Sequence, residues 1–117
     1  MYVAGPFRAG TAWDIELNVR KAETVSLELF KMGYAPICPH ANSRYFHGSL
    51  PDSEIMDAYL TILSKCDVMY ILPGFETSEG TRRELKEAID LHIPTVASPF
   101  GAAEWMSDWK LEHAGEA

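Results

Sequence analysis

The stretch PGFETSEGTRRELKEA, Pro73 to Ala88, gathers two glycines, three hydroxyl residues and several glutamates at the entrance of a helix. A carboxylate placed there has two uses. As a cap, Thr81 at the N-cap and Glu84 three residues on form a capping box, each side chain satisfying the other's backbone amide. As a reactive group, Glu84 lies one residue before Leu85 and four before Ala88. That is the border of the apolar stripe, in the first turn, facing the strand ends and any ligand bound there. The helix dipole favours its charged form, which suits a nucleophile or a stabiliser of positive charge rather than a proton donor. Carboxylates of this kind serve glycosidic cleavage, whose transition state resembles an oxocarbenium ion.

Other chemistry-bearing residues are fewer. Cys38, His40 and His47 follow one another closely, but their spacing matches no usual zinc pattern and only one thiol contributes, so no metal is expected. His40 reads instead as a lone donor or acceptor facing a site, and His92 and His113 as surface residues near helix ends. GPFRAG, Gly5 to Gly10, is neither a dinucleotide fingerprint nor a P-loop lysine motif, so no cofactor is expected either. Cys38 and Cys66, each beside a predicted strand, read as buried reduced thiols rather than a disulfide.

The elements that must position these residues show in the periodicity. Tyr2-Val3-Ala4 reads as a strand ending at Gly5-Pro6. Ile15, Val19, Ala22, Val25, Leu29 and Phe30 then recur at helical spacing up to Gly33, which stops the helix. Tyr34 to Pro39 reads as a short buried strand, followed by a loop to Asp52 whose length inside so small a domain points to function. Asp52 or Ser53 caps a second helix through Leu63. Cys66 to Pro73, apolar on both faces, has the pattern of a central parallel strand. The Pro73–Ala88 loop and helix follow, then a strand over Ile93 to Ala97 and a terminal helix from Ala102 to Ala114. This alternation predicts an α/β fold with a parallel sheet of four to five strands and helices on both faces. Ligands of such sheets bind beyond the carboxyl ends of the strands. The loops Gly5 to Trp13, Pro39 to Asp52 and Pro73 to Thr81 would meet there, and two of them feed helix N-termini that favour an anion.

Composition bounds the rest. The chain has 117 residues, 47% of them apolar, enough for one core and one domain over residues 1–117. Ten basic residues against 17 acidic ones give −7, and no basic run exceeds Arg82-Arg83, so nucleic acid is not an expected partner. No segment approaches a membrane span and none resembles a signal peptide, so a cytoplasmic protein without a membrane partner is expected. Trp105 and Trp109 share a face of the terminal helix. Either they enter the core, or they pair two copies in a symmetric homodimer.

MYVAGPFRA, ICPHANSRYFHG and CDVMYILPGFETSEGTRRELKEA together resemble the nucleoside 2-deoxyribosyltransferase superfamily, in particular its short phage and bacterial members, over nearly all of residues 1 to 98. The resemblance implies a Rossmann-like (flavodoxin-like) doubly wound fold. It also implies cleavage of the N-glycosidic bond of a nucleoside or nucleoside 5′-monophosphate, with the sugar passed to another base or to water. By that match Glu84 is the nucleophile and Tyr2 orients it, while the loop after the first strand brings Gly5, Arg8 and Gly10 against the sugar. Asp67 of the CD pair, Gly80 and Thr81 join the substrate-binding positions.

Two positions differ within that family. An aspartate that assists the leaving base stands eight residues before the aspartate of the CD pair; here that position is Tyr59, whose neutral hydroxyl can still donate a hydrogen bond to the base. Asp57 is two residues away on a different helix face and able to supply the acid if the helix starts late. Six residues before Glu84, enzymes acting on nucleosides carry an aspartate and those acting on 5′-monophosphates a serine; here it is Ser78. A small hydroxyl beside Gly80 and Thr81 at a helix start accepts a phosphate where a carboxylate would repel it, although a turn serine is equally ordinary there. A non-catalytic nucleotide-binding module on the same fold stays open. So does a phosphoribohydrolase, since LPGFETSEGT is similar to the PGGxGTxxE segment of cytokinin-activating enzymes.

Overall fold

Tyr2, Val3 and Ala4 have no exposed surface, and they form the first strand, β1 (Tyr2–Ala4), of a small parallel sheet. The computed structural model describes residues 1–46 and 48–115. β2 (Met69–Ile71) pairs with β1 in the register Tyr2 to Met69, Val3 to Tyr70 and Ala4 to Ile71, and β3 (Thr95–Val96) pairs with β2's other edge. The sheet has three strands in the order β1-β2-β3, not the four to five expected.

The missing strand is the one read at Tyr34 to Pro39. Its backbone forms a single bridge to β1, at Ile37, whose amide donates to the Met1 carbonyl at 2.7 Å and whose carbonyl accepts from Val3 at 2.9 Å; one step before it the Ala35 carbonyl accepts from the Met1 amino group at 3.0 Å. Pro39, the next residue facing β1, has no N–H to give, so the ladder cannot extend beyond that bridge, and Pro36 has none to offer on the other edge.

Helices cover both faces, and the period-two alternation of the strands assigns them. Val3, Tyr70 and Leu72 face one way and pack with Ala22 and Leu29 of α1 (Ala12–Lys31) and Ala102 of α5 (Pro99–Glu112). Tyr2, Ala4 and Met69 face the other way, against Tyr59 and Leu63 of α3 (Asp52–Leu63) and Ala88 of α4 (Glu79–Asp90). Side chains on this second face are the ones that reach the N-terminal turns of α3 and α4.

Local chemistry sets the helix bounds. Thr11 caps α1 by accepting from the Asp14 amide at 3.1 Å, and Gly33 takes the left-handed conformation after its end. Phe30, expected on the buried stripe, is 59% exposed; Ser26 is buried in α1 instead, its hydroxyl satisfied by the Ala22 carbonyl. A single helical turn, α2 (Pro39–Asn42), lies within what reads as loop in the sequence. Ser98 caps α5 with Pro99 in its first turn, three residues earlier than the expected start at Ala102. Cys38 and Cys66 are unbonded and half-buried. No helix among the described residues is long and apolar enough to cross a membrane.

Candidate active site

α4 begins one turn earlier than a Thr81 cap would place it. Ser78 is the N-cap, its Oγ accepting from the Thr81 amide at 3.3 Å and meeting the Thr81 hydroxyl at 2.7 Å. The Thr81–Glu84 capping box therefore does not form, and Glu84 sits in the second turn with its carboxylate free of any capping role. That carboxylate is buried, 7% exposed, and its Oε2 accepts a hydrogen bond from the hydroxyl of Tyr2, which has no exposed surface at all. Residues 82 positions apart are thus joined by the packing of α4 on the second face of the sheet.

Burial dominates the electrostatics of the pair. It pushes the Glu84 carboxyl up from 4.5 to about 7, with the Tyr2 hydrogen bond pulling the other way. The helix dipole does not hold this carboxylate ionised, contrary to the expectation for a first-turn residue, because its effect fades within that turn. Tyr2 is pushed far above the ordinary phenol range by burial and then by the Glu84 charge, so its proton stays in place and orients the carboxylate. Near neutral pH Glu84 exists in both forms, as a carboxylate able to attack or stabilise a cation and as an acid able to donate.

Glu84 faces a cavity of about 580 Å³ off the carboxyl end of β1, within the range of small-molecule sites. Its walls are the β1–α1 loop, α2 and the residue after it, α3 as far as Tyr59, and Thr77 with the first two turns of α4. Glycines let these walls meet. A Cβ on Gly5 would stand 2.5 Å from Leu72 Cδ1, so only glycine lets β1 end against β2's continuation. A Cβ on Gly80 would stand 3.0 Å from Met56 Cε, the contact that seats α3 on the start of α4.

Of the positions the sequence singles out, Gly5, Arg8, His40, Tyr59, Ser78, Gly80, Thr81 and Glu84 line this cavity, and Tyr2 supports it from behind. Three others do not. Gly10 is exposed just before the α1 cap, away from the cavity wall. Asp67 is exposed at the amino end of β2, the far end of the strand from the pocket. Asp57 is exposed and pairs with Arg83 at 3.0 Å; the helical turn that directs Tyr59 inward directs it outward.

Tyr59 is held in a neutral network. Its hydroxyl accepts from Asn42 Nδ2 at 2.7 Å and donates to Ser43 Oγ at 3.0 Å, and Ser43 in turn donates to the Pro39 carbonyl at 3.1 Å. The phenolic proton is committed to Ser43, which itself lines the cavity. Sequence reading missed Asn42 and Ser43 because a single turn of helix leaves no periodicity.

His40 is 5% exposed. Its Nε2–H donates to the Pro6 carbonyl at 2.9 Å, which fixes the tautomer and leaves the lone pair on Nδ1. Burial lowers its pKa, so the ring is neutral near pH 7, and Nδ1 is the buried side-chain polar atom without a partner among the described residues. The edge of Phe7 packs on the ring, with centroids 5.8 Å apart. Arg8 and Arg83 are the cations at the wall, and Arg8 pairs with Asp52, the first residue of α3.

Comparison with known proteins bears on the whole of this arrangement. The chain belongs to the DUF7768 family. Its model, a domain of unknown function, matches residues 1–98. Every wall residue named above lies inside the DUF7768 match, whereas α5 begins just beyond it. No curated protein and no solved structure matches the chain. Among the described residues no group of three histidine, cysteine, aspartate or glutamate side chains stands close enough to hold a metal; His47, weighed with Cys38 and His40, lies outside the described residues.

Proposed function

We propose that this DUF7768 chain cleaves the N-glycosidic bond of a nucleoside 5′-monophosphate, in preference to the free nucleoside, on a Rossmann-like (flavodoxin-like) doubly wound arrangement. The observation that carries the reading is the buried Tyr2–Glu84 pair facing a ligand-sized cavity beyond the strand ends. Ionising a carboxylate desolvated to this degree costs stability, which marks it as a candidate functional group, and stabilising a developing oxocarbenium ion at C1′ is a role that fits.

In the proposed reaction ionised Glu84 attacks C1′ while the C1′–N bond breaks. The base keeps the bonding electrons and takes a proton from water, and a second water or another base then displaces the glutamate from C1′. Tyr2 holds Oε2 throughout, leaving Oε1 for the sugar. The phosphate sits against Ser78, Gly80 and Thr81, where the first amides of α4 have no acceptor within the helix. No cofactor enters this scheme.

A specific observation favours a second reading, a non-catalytic nucleotide-binding module. Asp57 is turned out of the cavity and the Tyr59 proton is committed to Ser43, so neither stands ready to protonate a departing base. Incubation with a panel of ribo- and deoxyribonucleosides and their 5′-monophosphates, with chromatographic detection of free base, separates the two. Base release from the monophosphates supports cleavage, and ribonucleotide-only release points to the phosphoribohydrolase variant. Saturable binding with no release on any substrate establishes the module.

A further inference from the structure

Both cations at the cavity wall are already engaged, and by the same helix. Arg8, from the β1–α1 loop, holds Asp52 at the start of α3; Arg83, from α4, holds Asp57 one and a half turns further along. The two pairs differ in where their carboxylates stand. Asp57 is outside the cavity, whereas Asp52 is part of its wall, as are Arg8, Ser78 and Thr81. Pro6 sets the geometry: a Cβ on Gly74 would stand 3.3 Å from its Cγ, so the loop carrying Arg8 lies against the loop that leads to Ser78. This side of the wall therefore brings together the Arg8 guanidinium, the Ser78 and Thr81 hydroxyls and the amino end of a twelve-residue helix, and sets the Asp52 carboxylate on the guanidinium.

We propose that Asp52 is a built-in competitor for the anion subsite of this cavity: it occupies Arg8 in the free protein, and a phosphate-bearing ligand must take Arg8 from it. The inference rests on the anion-binding part of the reading above and not on bond cleavage.

Three considerations support it. The Arg8 and Asp52 side chains are 59% and 58% exposed, and an ion pair so solvated is weak enough for a phosphate to displace. A phosphate dianion offers more charge and the same fork geometry as a carboxylate, so the exchange is favourable at Arg8. The chain carries −7 overall, and Glu79 and Glu84 share this wall, so among the described residues the positive charge that attracts an anion here is that of Arg8, Arg83 and the helix amides. The pair also sets selectivity. A neutral ribose leaves Arg8 on Asp52, and a sugar phosphate does not.

The test is calorimetric titration of ribose 5-phosphate, with ribose as the neutral control, into the intact chain at low ionic strength. Asp52→Asn keeps the size of the side chain and suits a helix start. It is expected to bind ribose 5-phosphate about two- to fivefold more tightly, what release of one exposed ion pair supplies. Arg8→Gln is expected to weaken binding, and in an Arg8→Gln background Asp52→Asn is expected to have no further effect. Glu54→Gln removes an equal charge from the same exposed turn of α3, away from the wall, and is expected to stay within about twofold of the unaltered chain.

Unchanged or weaker binding by Asp52→Asn overturns the proposal. So does an equal gain in Glu54→Gln, a gain that persists without Arg8, or no binding by any form. Binding of ribose 5-phosphate as expected, together with no base release from any nucleotide, refutes cleavage while leaving the anion exchange standing.

Discussion

Glu84 is ionisable, buried and hydrogen-bonded to a tyrosine that cannot give up its proton, and each property has a measurable consequence. Its folded-state value of about 7 lies above the ordinary 4.5. The folded state therefore binds the proton more tightly than the unfolded chain. The stability this contributes is complete below about pH 4.5 and is lost as pH rises through 7. The difference is on the order of 3 kcal/mol. Glu84→Gln, which cannot ionise, is expected to melt several degrees higher than the unaltered chain at pH 8 and at nearly the same temperature at pH 4.5, by calorimetry. A variant less stable at both pH values would show that the carboxylate is structural. Tyr2→Phe removes the hydrogen bond that favours the ionised form. The pH at which base release reaches half its maximum is then expected to move up from about 7, with a rate lowered about tenfold at pH 7 and partly recovered at pH 9. An unshifted profile would mean that Tyr2 does not govern Glu84.

At the scale of elements, Ser78 does two jobs that one substitution separates. It caps α4 and it lines the cavity. Aspartate caps as well as serine, so Ser78→Asp is expected to keep the melting temperature within a few degrees. Its charge against a phosphate is expected to erase a preference for monophosphates of about tenfold in kcat/KM. Loss of activity on nucleosides and monophosphates alike would assign Ser78 to folding alone.

The elements also show what the sequence made legible. Strands and helices with clean periodicity, β1, β2 and α1, lie where their patterns place them, because burial on one or two faces leaves a readable trace. The strand at Tyr34 to Pro39 failed because two prolines outweigh its apolar run. The cap failed because Ser78-x-x-Thr81 and Thr81-x-x-Glu84 are both acceptable starts; burial of Glu84 against Tyr2 decides between them, and that is tertiary. Glu84 stands out by its place near a helix start, and its hydrogen bond with Tyr2 is expected from a resemblance of motifs. Asp57, Asp67 and Gly10 were assigned to the same site on that basis and lie elsewhere. The Asn42–Tyr59–Ser43 network left no trace, since it depends on how a single turn at Pro39 meets α3.

At the scale of the whole molecule, the two tryptophans of α5 divide their roles. Trp105 packs on the first core and stacks on Tyr34 with centroids 6.1 Å apart, the bland outcome. Trp109 stays 39% exposed, stacked on His113, and the same helix exposes Phe100 and Leu111. A molecule of 47 × 25 × 25 Å has much surface for its volume, and apolar side chains of this size left on it favour association. A symmetric dimer at tens of micromolar is the expected state by light scattering, with Trp109→Glu shifting it to monomer. A monomer retaining full activity would reject pairing.

The central claim is that Glu84 breaks a glycosidic bond, and it is tested most directly by one paired measurement. The unaltered chain and Glu84→Gln are incubated with deoxynucleoside 5′-monophosphates at pH 8, where the variant is expected to be the more stable of the two, and free base is followed by chromatography. The account predicts release by the unaltered chain and a loss of at least about a thousandfold in the variant, since an amide neither attacks C1′ nor balances its charge. Full turnover by folded Glu84→Gln, or no release by the unaltered chain on any nucleotide, would contradict it.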